Sequence, residues 1–287
     1  MFIEHPCYDA KAHFKTGRIH LPVAPFCNIQ CNYCSRKLRV DDNRPGITNE
    51  ILSPKKALLK VKKALAREPR IKIIAIAGPG DPLANHTTIE TFKLIKQYLP
   101  NVNFCLSTNG LNLSDQIENL YNVGVRFITV TLNTVDPEIG AKIYSFVRYN
   151  CKLHYGEEAA TILLNRQIEG IKKAVNLGML VKINTVLIPG INMKYIPDVA
   201  EKVAKLGAYI MNVMPLIPIG KFADLRSPTL EELKSTRIKC EEFIRQWYLC
   251  KQCRADAVGV PGEEIASKLQ LDACPLTISN SVSACSC

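Results

Sequence analysis

The amino-acid sequence predicts an α/β fold with a parallel sheet, either doubly wound or curled into a partial or full β/α barrel. Six short runs rich in apolar and β-branched residues alternate with segments of helical periodicity. Because strands joined by helices run parallel with right-handed crossovers, this alternation indicates a parallel sheet. The six predicted strands cover residues 20–26, 71–77, 102–106, 125–132, 180–188 and 209–214.

The segments between the predicted strands carry apolar residues at helical spacing. Leu58, Val61 and Leu65 are an example, since residues three or four positions apart share one face of a helix. A longer helix is predicted after the sixth strand, over residues 230–248.

Polar or turn-forming residues follow each of the six predicted strands. Three cysteines come after the first strand, and the other groups are residues 78–82, 108–110, 133–134, 188–190 and 215–218. The carboxyl ends of parallel strands lie on one rim, and ligands bind at that rim in both candidate folds. The sequence therefore predicts one site built from six loops.

The length of 287 residues suits one large barrel domain, predicted over residues 1–259. Residues 260–287 are predicted to be a Cys-rich C-terminal extension, in which Cys274, Cys285 and Cys287 match no known motif. The N-terminus lacks the pattern of a secretory signal, and no apolar run approaches the ~18 residues of a membrane span. A cytoplasmic protein without a membrane partner is expected.

The net charge of +11 comes with lysines scattered along helix-like segments rather than gathered in one block. No motif for nucleic-acid binding accompanies them, so a nucleic-acid partner is not expected. Twelve cysteines are many for a cytosolic chain of this length. Because disulfide scaffolds are normally short and secreted, metal or cluster ligation is the favoured explanation.

Cys27, Cys31 and Cys34 form a Cys-x-x-x-Cys-x-x-Cys cluster, unlike the two Cys-x-x-Cys pairs of a structural zinc site. Three thiolates leave one iron of a 4Fe-4S cubane open to a chelating molecule. A zinc knot or unligated buried thiols are the alternatives.

This spacing, with the aromatic Tyr33 before the third cysteine, resembles the signature of the radical S-adenosylmethionine (SAM) superfamily. The resemblance implies a β/α barrel of the radical SAM type, in which Cys27, Cys31 and Cys34 hold a 4Fe-4S cluster whose open iron binds S-adenosyl-L-methionine. Reductive cleavage of that cofactor gives methionine and a 5′-deoxyadenosyl radical. The S-adenosylmethionine contacts that the resemblance implies are Tyr33, Gly80, Asp81, Thr108, Asn133, Thr134, Val186 and Ile188.

A wider pattern resembles the NifB family of nitrogenase cofactor maturases. It consists of His5-Pro6-Cys7, the segments 20–25, 44–46 and 77–85, and Cys250-Lys251-Gln252-Cys253 with the residues that follow. The resemblance implies an enzyme, of the lyase or transferase type, that fuses two 4Fe-4S substrate clusters into an 8Fe-9S-C precursor of the nitrogenase cofactor. One S-adenosylmethionine would donate a methyl group on its way to carbide, and a second would supply the radical that abstracts hydrogen from it. A ninth sulfur comes from a source that the sequence does not identify.

The two substrate clusters require ligands beyond the first three cysteines, and the family resemblance implies Cys7, His20, Cys105, Cys250 and Cys253. A histidine in an apolar segment is more often a core residue than a ligand, and Cys105 could be an ordinary buried cysteine. Cys151 and Cys240 are predicted to be structural.

Arg44 is a further catalytic candidate, because Asp42-Asn43-Arg44-Pro45 resembles a Glu-x-Arg-Pro motif with Asp in place of Glu. Its guanidinium could stabilise anionic cluster sulfur or a carboxylate, and a surface salt bridge is the alternative.

The partners that the resemblance implies are donors of iron–sulfur clusters, acceptor or carrier proteins of nitrogenase assembly, and a ferredoxin-like electron donor, in an anaerobic or oxygen-protected cytoplasm. Two other functions stay open. One is a radical SAM enzyme for a small organic substrate, with an auxiliary iron–sulfur cluster at Cys250 and Cys253. The other is a non-catalytic iron–sulfur carrier.

Overall fold

A computed structural model describes residues 4–35 and 44–264, so that Asp42 and the tail cysteines Cys274, Cys285 and Cys287 lie outside the described residues. Within those residues the strands, in chain order, are β1 (Gly17–His20), β2 (Ile29–Cys31), β3 (Ile71–Ile76), β4 (Asn103–Thr108), β5 (Val125–Thr131), β6 (Tyr144–Tyr149), β7 (Lys152–His154), β8 (Leu180–Leu187), β9 (Ile210–Pro215) and β10 (Val258–Gly259). The α-helices are α1 (Ala10–His13), α2 (Pro54–Arg67), α3 (Thr87–Tyr98), α4 (Leu113–Val123), α5 (Pro137–Ile143), α6 (Gly156–Asn176), α7 (Ile196–Lys205) and α8 (Leu230–Glu241).

Seven strands form one curled sheet in the order β10-β1-β3-β4-β5-β8-β9. Six of them run parallel, and β10 pairs antiparallel with β1. Among the described residues the two edge strands, β10 and β9, do not pair with each other, so the sheet stays open. The predicted α/β fold is confirmed in its partial-barrel form.

Side chains alternate between the two faces of this sheet, as the period of a strand requires. On β3, Ile74 and Ile76 face outward and join the core beneath the helices. Ile73 and Ala75 face inward, where they pack with Tyr8 and other residues of a second apolar cluster. This inner cluster closes one end of the barrel interior and leaves space at the carboxyl ends of the strands.

Helices α2 and α8 begin at residues whose side chains cap them. Ser53 precedes α2, and its hydroxyl accepts a hydrogen bond from the Lys56 amide at 3.4 Å, with Pro54 in the first turn. Thr229 and Glu232 form a capping box at the start of α8. In the described residues no helix is long and apolar enough to cross a membrane.

Two predictions about the elements are wrong. The first strand lies at Gly17–His20 rather than over residues 20–26, because Pro22 and Pro25 lack the amide protons that a strand ladder needs. The last helix ends at Glu241 rather than at residue 248. Beyond it the chain runs along the edge of β9, where the Met211 amide donates to the Arg245 carbonyl at 2.9 Å and the Trp247 amide donates to the Met211 carbonyl at 2.7 Å.

A second, three-stranded sheet of β2, β6 and β7 was not predicted. In this sheet β2 pairs antiparallel with β6, and Cys31 lies opposite Tyr144. The cysteine cluster is therefore anchored to a sheet at its middle residue rather than carried on an unsupported loop.

Candidate active site

A cavity of about 250 Å³ opens at the carboxyl ends of the parallel strands. Nine of the residues predicted to bind the cluster or S-adenosylmethionine, or to act beside them, line it: Cys27, Cys31, Tyr33, Cys34, Arg44, Gly80, Asp81, Thr108 and Val186. This shared position follows from the topology, since parallel strands deliver their following loops to one rim.

The three thiols converge because side chains and strands fix the segment that carries them. The side-chain amide of Gln30 donates to the carbonyls of Cys31 at 2.8 Å and Cys34 at 3.0 Å, which folds the segment into a tight turn. The Asn32 amide donates to the Ile143 carbonyl at 2.8 Å, at the start of β6. All three cysteines are half-buried and none is in a disulfide.

This donor set fits a 4Fe-4S cluster. In residues 4–35 and 44–264 no three His, Cys, Asp or Glu side chains are grouped closely enough to hold a single metal ion. The thiolates of a cubane bind different irons, so they stand further apart than the ligands of one zinc ion. Three half-buried thiols line one open cavity, so their chemistry and shared position fit a cluster held by three cysteines.

Gly80 joins the glycine-rich segment to the chain that leads into Cys27. Its amide donates to the Ala24 carbonyl at 2.6 Å, and the next amide, that of Asp81, donates to the Phe26 carbonyl at 2.9 Å. A Cβ atom on residue 80 would lie 2.1 Å from the Phe26 carbonyl oxygen. Only glycine allows this close approach of two backbones.

Asp81 ties the loop after β3 to the loop after β4. Its carboxylate accepts hydrogen bonds from the Leu83 amide at 2.9 Å, from the Asn109 amide at 2.5 Å and from the Thr108 hydroxyl at 2.9 Å. Burial raises the pKa of Asp81 to about 6, and these donors act in the opposite direction. The carboxylate is thus ionised at neutral pH and holds two rim loops together.

Asn133 lies behind the cavity wall rather than in it. Its side-chain amide donates to the hydroxyls of Tyr33 at 2.8 Å and Tyr144 at 3.1 Å, and its side-chain oxygen accepts the Val186 amide at 2.9 Å. Burial raises the pKa of Tyr33 well above its usual value, so that the hydroxyl stays neutral and can accept. Asn133 therefore positions two residues that do line the cavity, Tyr33 and Val186.

Thr134 and Ile188 are also buried behind the wall and do not line the first cavity. The Thr134 hydroxyl accepts the Asp136 amide at 3.0 Å, which caps the turn before α5. Contact of Asn133, Thr134 and Ile188 with S-adenosylmethionine stays a prediction.

A second cavity, of about 140 Å³, lies deeper in the barrel and shares part of its wall with the first. The shared residues include Pro45, Gly46, Asn184 and Met214. Four of the five additional ligand candidates line this second cavity: Cys7, His20, Cys105 and Cys253. The fifth, Cys250, is half-buried and packs against the inner apolar cluster.

The ring of His20 is held in the tautomer that a metal ligand requires. Its Nδ1 lies 2.8 Å from the Arg254 carbonyl oxygen, and because a carbonyl only accepts, Nδ1 carries the proton. Burial lowers the pKa of His20 to about 4, so the ring is neutral and Nε2 keeps its lone pair. A ligating histidine is typically oriented by such a bond on its other nitrogen.

Two thiols of the second cavity, those of Cys105 and Cys253, are held in the protonated form by burial. Burial raises the pKa of Cys105 to about 12 and that of Cys253 to about 11. Two neighbouring cations partly offset this rise: Lys182 lowers the pKa of Cys105, and Arg18 lowers the pKa of Cys253. The Arg18 guanidinium donates to the Cys253 sulfur at 2.8 Å and to the Glu264 carboxylate at 2.8 Å.

The second cavity also contains three basic residues that were not predicted to be site residues: His5, which belongs to the family pattern, Arg18 and Lys182. His5 is neutral, because burial lowers its pKa well below the usual value, and its Nδ1 accepts the Cys7 amide at 3.0 Å. It therefore has the tautomer opposite to that of His20, with the proton on Nε2. No local sequence signal marked Arg18 and Lys182 as buried, although both lie on strands of the parallel sheet.

Of the remaining cysteines, Cys240 is fully buried in the core beneath α8, and Cys151 is exposed after β6. Neither lines either cavity.

The family model of the radical SAM superfamily matches residues 21–203. Solved structures with the same fold include Streptococcus suis SuiB bound to S-adenosylmethionine, at 14% identity and a TM-score of 0.57 over 80% of this chain and 49% of SuiB. Methylornithine synthase (PylB) gives a TM-score of 0.55 at 15% identity, over 82% of this chain and 64% of PylB. Together the partial barrel, the three convergent cysteines and the family match define a radical SAM protein, a class that uses a 4Fe-4S cluster and S-adenosylmethionine.

Other proteins share a much higher sequence identity with this chain than these solved structures do. The FeMo cofactor biosynthesis protein NifB of Methanocaldococcus jannaschii is 48% identical over 258 residues, which are 89% of this chain and 86% of that protein. NifB of Klebsiella pneumoniae is 44% identical over 91% of this chain and 57% of its own length. The chain belongs to the NifB family.

Proposed function

We propose that this protein builds the iron–sulfur precursor of the nitrogenase cofactor. The reaction would fuse two 4Fe-4S substrate clusters and insert a carbon derived from S-adenosylmethionine and a ninth sulfur, to give an 8Fe-9S-C product. The observation that carries the proposal is the second cavity, where Cys7, His20, Cys105 and Cys253 surround a space that adjoins the cavity of the three cysteines.

The first cavity is the place where S-adenosylmethionine would be cleaved. Cys27, Cys31 and Cys34 would hold the 4Fe-4S cluster there, and the chemistry that it would supply is the one-electron reduction that cleaves S-adenosylmethionine. The backbone around Gly80 and the loops tied by Asp81 shape the wall that receives the methionyl end, while Tyr33 and Val186 line the remainder. Arg44 is buried at this wall and also contacts the Ser35 hydroxyl at 3.4 Å, where its guanidinium can stabilise anionic sulfur or a carboxylate.

The second cavity holds the substrate. Thiolates and one neutral imidazole are suitable ligands for iron–sulfur clusters, and imidazole is the more weakly held of the two. A set of few ligands, with Cys250 next to the cavity rather than in it, suits clusters that must rearrange and then leave. The cluster donors, the acceptor or carrier and the ferredoxin-like electron donor would be proteins of nitrogenase assembly.

Iron counting tests the substrate sites. We expect about twelve irons per chain after anaerobic reconstitution, four for each of three cubanes, and about eight in a Cys27→Ala, Cys31→Ala, Cys34→Ala variant. Four irons in the intact protein would refute two substrate clusters. That result would favour a radical SAM enzyme for an organic substrate.

Isotope labelling tests the reaction itself. With S-adenosylmethionine carrying a carbon-13 methyl group and dithionite as reductant, we expect the label inside the purified cluster product. Release of 5′-deoxyadenosine and S-adenosylhomocysteine should accompany it, whereas a non-catalytic carrier would form neither. Label found only in organic products would exclude carbide insertion.

A further inference from the structure

Two cations are buried in the second cavity, and only one of them is neutralised. Arg18 donates to the Glu264 carboxylate at 2.8 Å, to the Gly259 carbonyl at 2.6 Å and to the Cys253 sulfur. Lys182, on β8, lines the same cavity with 5% of its surface exposed. Among the residues that the structure describes, no carboxylate pairs with its ammonium group.

The contacts that Lys182 does make are weak. Its Nζ lies 3.5 Å from the Cys7 carbonyl oxygen, at the long limit for a hydrogen bond, and 5.3 Å from the centre of the Tyr8 ring. A buried ammonium is favoured by an opposite charge or by strong acceptors. These contacts of Lys182 supply neither, so an anion in the second cavity would be a favourable partner for it.

The charge of Lys182 reaches the candidate ligands around the cavity. Lys182 lines the same cavity as His20 and Cys105, and its Nζ lies 3.5 Å from the carbonyl oxygen of Cys7. This geometry places its positive charge within electrostatic range of the residues that would hold the substrate. An iron–sulfur cluster with thiolate ligands is anionic, and reduction makes it more so.

We propose that Lys182 is a positioning residue that neutralises the anionic iron–sulfur substrate in the second cavity. This inference rests on the proposed function, because it assumes that the second cavity binds a cluster. Lys182 stabilises the reduced, more anionic form of the cluster without serving as a ligand. The bound substrate gives the ammonium group its counter-charge.

The test uses the full chain carrying Cys27→Ala, Cys31→Ala and Cys34→Ala, so that signals from the first cluster do not overlap. Lys182→Met removes the charge and keeps the length of the side chain, and Lys182→Arg keeps the charge. Lys62→Met is the matched control, because the exposed Lys62 also lies over a tyrosine ring, with its Nζ 4.6 Å from the centre of Tyr98.

In Lys182→Met we expect the midpoint potential of the bound clusters to shift to more negative values. Their affinity should fall about 10- to 100-fold, the usual effect of losing an outer residue of a metal site. Lys182→Arg should restore both quantities, and Lys62→Met should match the parent. Without iron, Lys182→Met should melt at the same temperature as the parent or higher, because a buried unpaired charge has been removed.

Unchanged potential and affinity in Lys182→Met would overturn the inference. A lower melting temperature of iron-free Lys182→Met, with an unchanged potential in its loaded form, would also overturn it and assign Lys182 a structural role. If the parent itself binds no iron in the second cavity, the proposed function fails. If the parent instead binds about eight irons but their midpoint potential does not depend on Lys182, the inference about Lys182 fails and the proposed function does not.

Discussion

Replacing Gly80 with alanine is expected to separate the glycine-rich segment from the chain that enters the cysteine cluster. The added Cβ would lie 2.1 Å from the Phe26 carbonyl oxygen and 2.5 Å from its carbon, where about 3.4 Å is the ordinary limit. Both atoms belong to the backbone and cannot rotate away. The two segments must move apart by more than about 1 Å, which breaks the bonds from the Gly80 and Asp81 amides.

The magnitude follows from these contacts. Overpacking a tight site costs about 1–3 kcal/mol, and each broken backbone hydrogen bond adds about 1 kcal/mol. We therefore expect Gly80→Ala to lower the free energy of unfolding by about 3–5 kcal/mol. It should also weaken S-adenosylmethionine binding, because the displaced segment forms the wall between Cys27 and Asp81.

Urea unfolding of the cluster-free protein gives the stability, and equilibrium binding of S-adenosylmethionine to the reconstituted protein gives the affinity. Gly156→Ala is the control: it has a φ of +58° and nothing within 4 Å of the added atom. It should cost only the about 1–2 kcal/mol of a left-handed backbone and leave binding intact. If Gly80→Ala binds S-adenosylmethionine like the parent and loses no more stability than the control, the packing argument is wrong.

Three further predictions concern the same protein. Because burial raises the pKa of Asp81 from 3.8 to about 6, the stability that its proton gives is present below pH 3.8 and is lost as the pH rises through about 6. The free energy of unfolding of the parent relative to Asp81→Asn should fall by about 3 kcal/mol over that range in urea titrations, and parallel pH profiles would contradict this. In cluster-free protein at pH 8, iodoacetamide should modify the exposed Cys151 before the buried Cys105, whose pKa is about 12; peptide mass spectrometry decides the order, and equal rates would count against the burial of Cys105. Asn133→Ala should cost about 3 kcal/mol, because it leaves the Val186 amide without its acceptor. Asn119→Ala, at an exposed position, is the control and should change the free energy of unfolding by less than about 0.5 kcal/mol. A similarly small loss in both variants would refute the role of Asn133 in positioning Tyr33 and Val186.

Periodicity was sufficient to predict a parallel α/β sheet, because five of its six parallel strands are short, largely buried runs rich in apolar residues. The barrel form followed from the resemblance to the radical SAM superfamily. The sixth, Gly17–His20, contains Arg18, whose guanidinium is neutralised by Glu264 from the far end of the described chain. No local pattern shows that such a charge is buried. The apolar run that follows it contains two prolines and was mistaken for the strand.

The first cavity was largely predictable, because its cysteines and glycines have fixed spacings in the sequence. Contact of Asn133 with the cofactor stays a prediction, and the sequence did not indicate that its side chain also hydrogen-bonds to Tyr33, Tyr144 and the Val186 amide. Which face of a rim residue meets the ligand depends on packing between elements distant in sequence. The cations of the second cavity escaped prediction for the same reason.

The second cavity joins the two ends of the described chain. Cys7 and Arg18 come from its beginning and Cys253 from its end, and the bond between Arg18 and Cys253 links residues 235 positions apart. Because the ribosome synthesises the amino-terminal part first, Cys7 and His20 are made before nearly the entire barrel and before Cys253, their neighbour in the second cavity. The second cavity is therefore complete only after translation has passed Cys253, and a nascent chain that has not reached this residue would expose Cys7 without its neighbours.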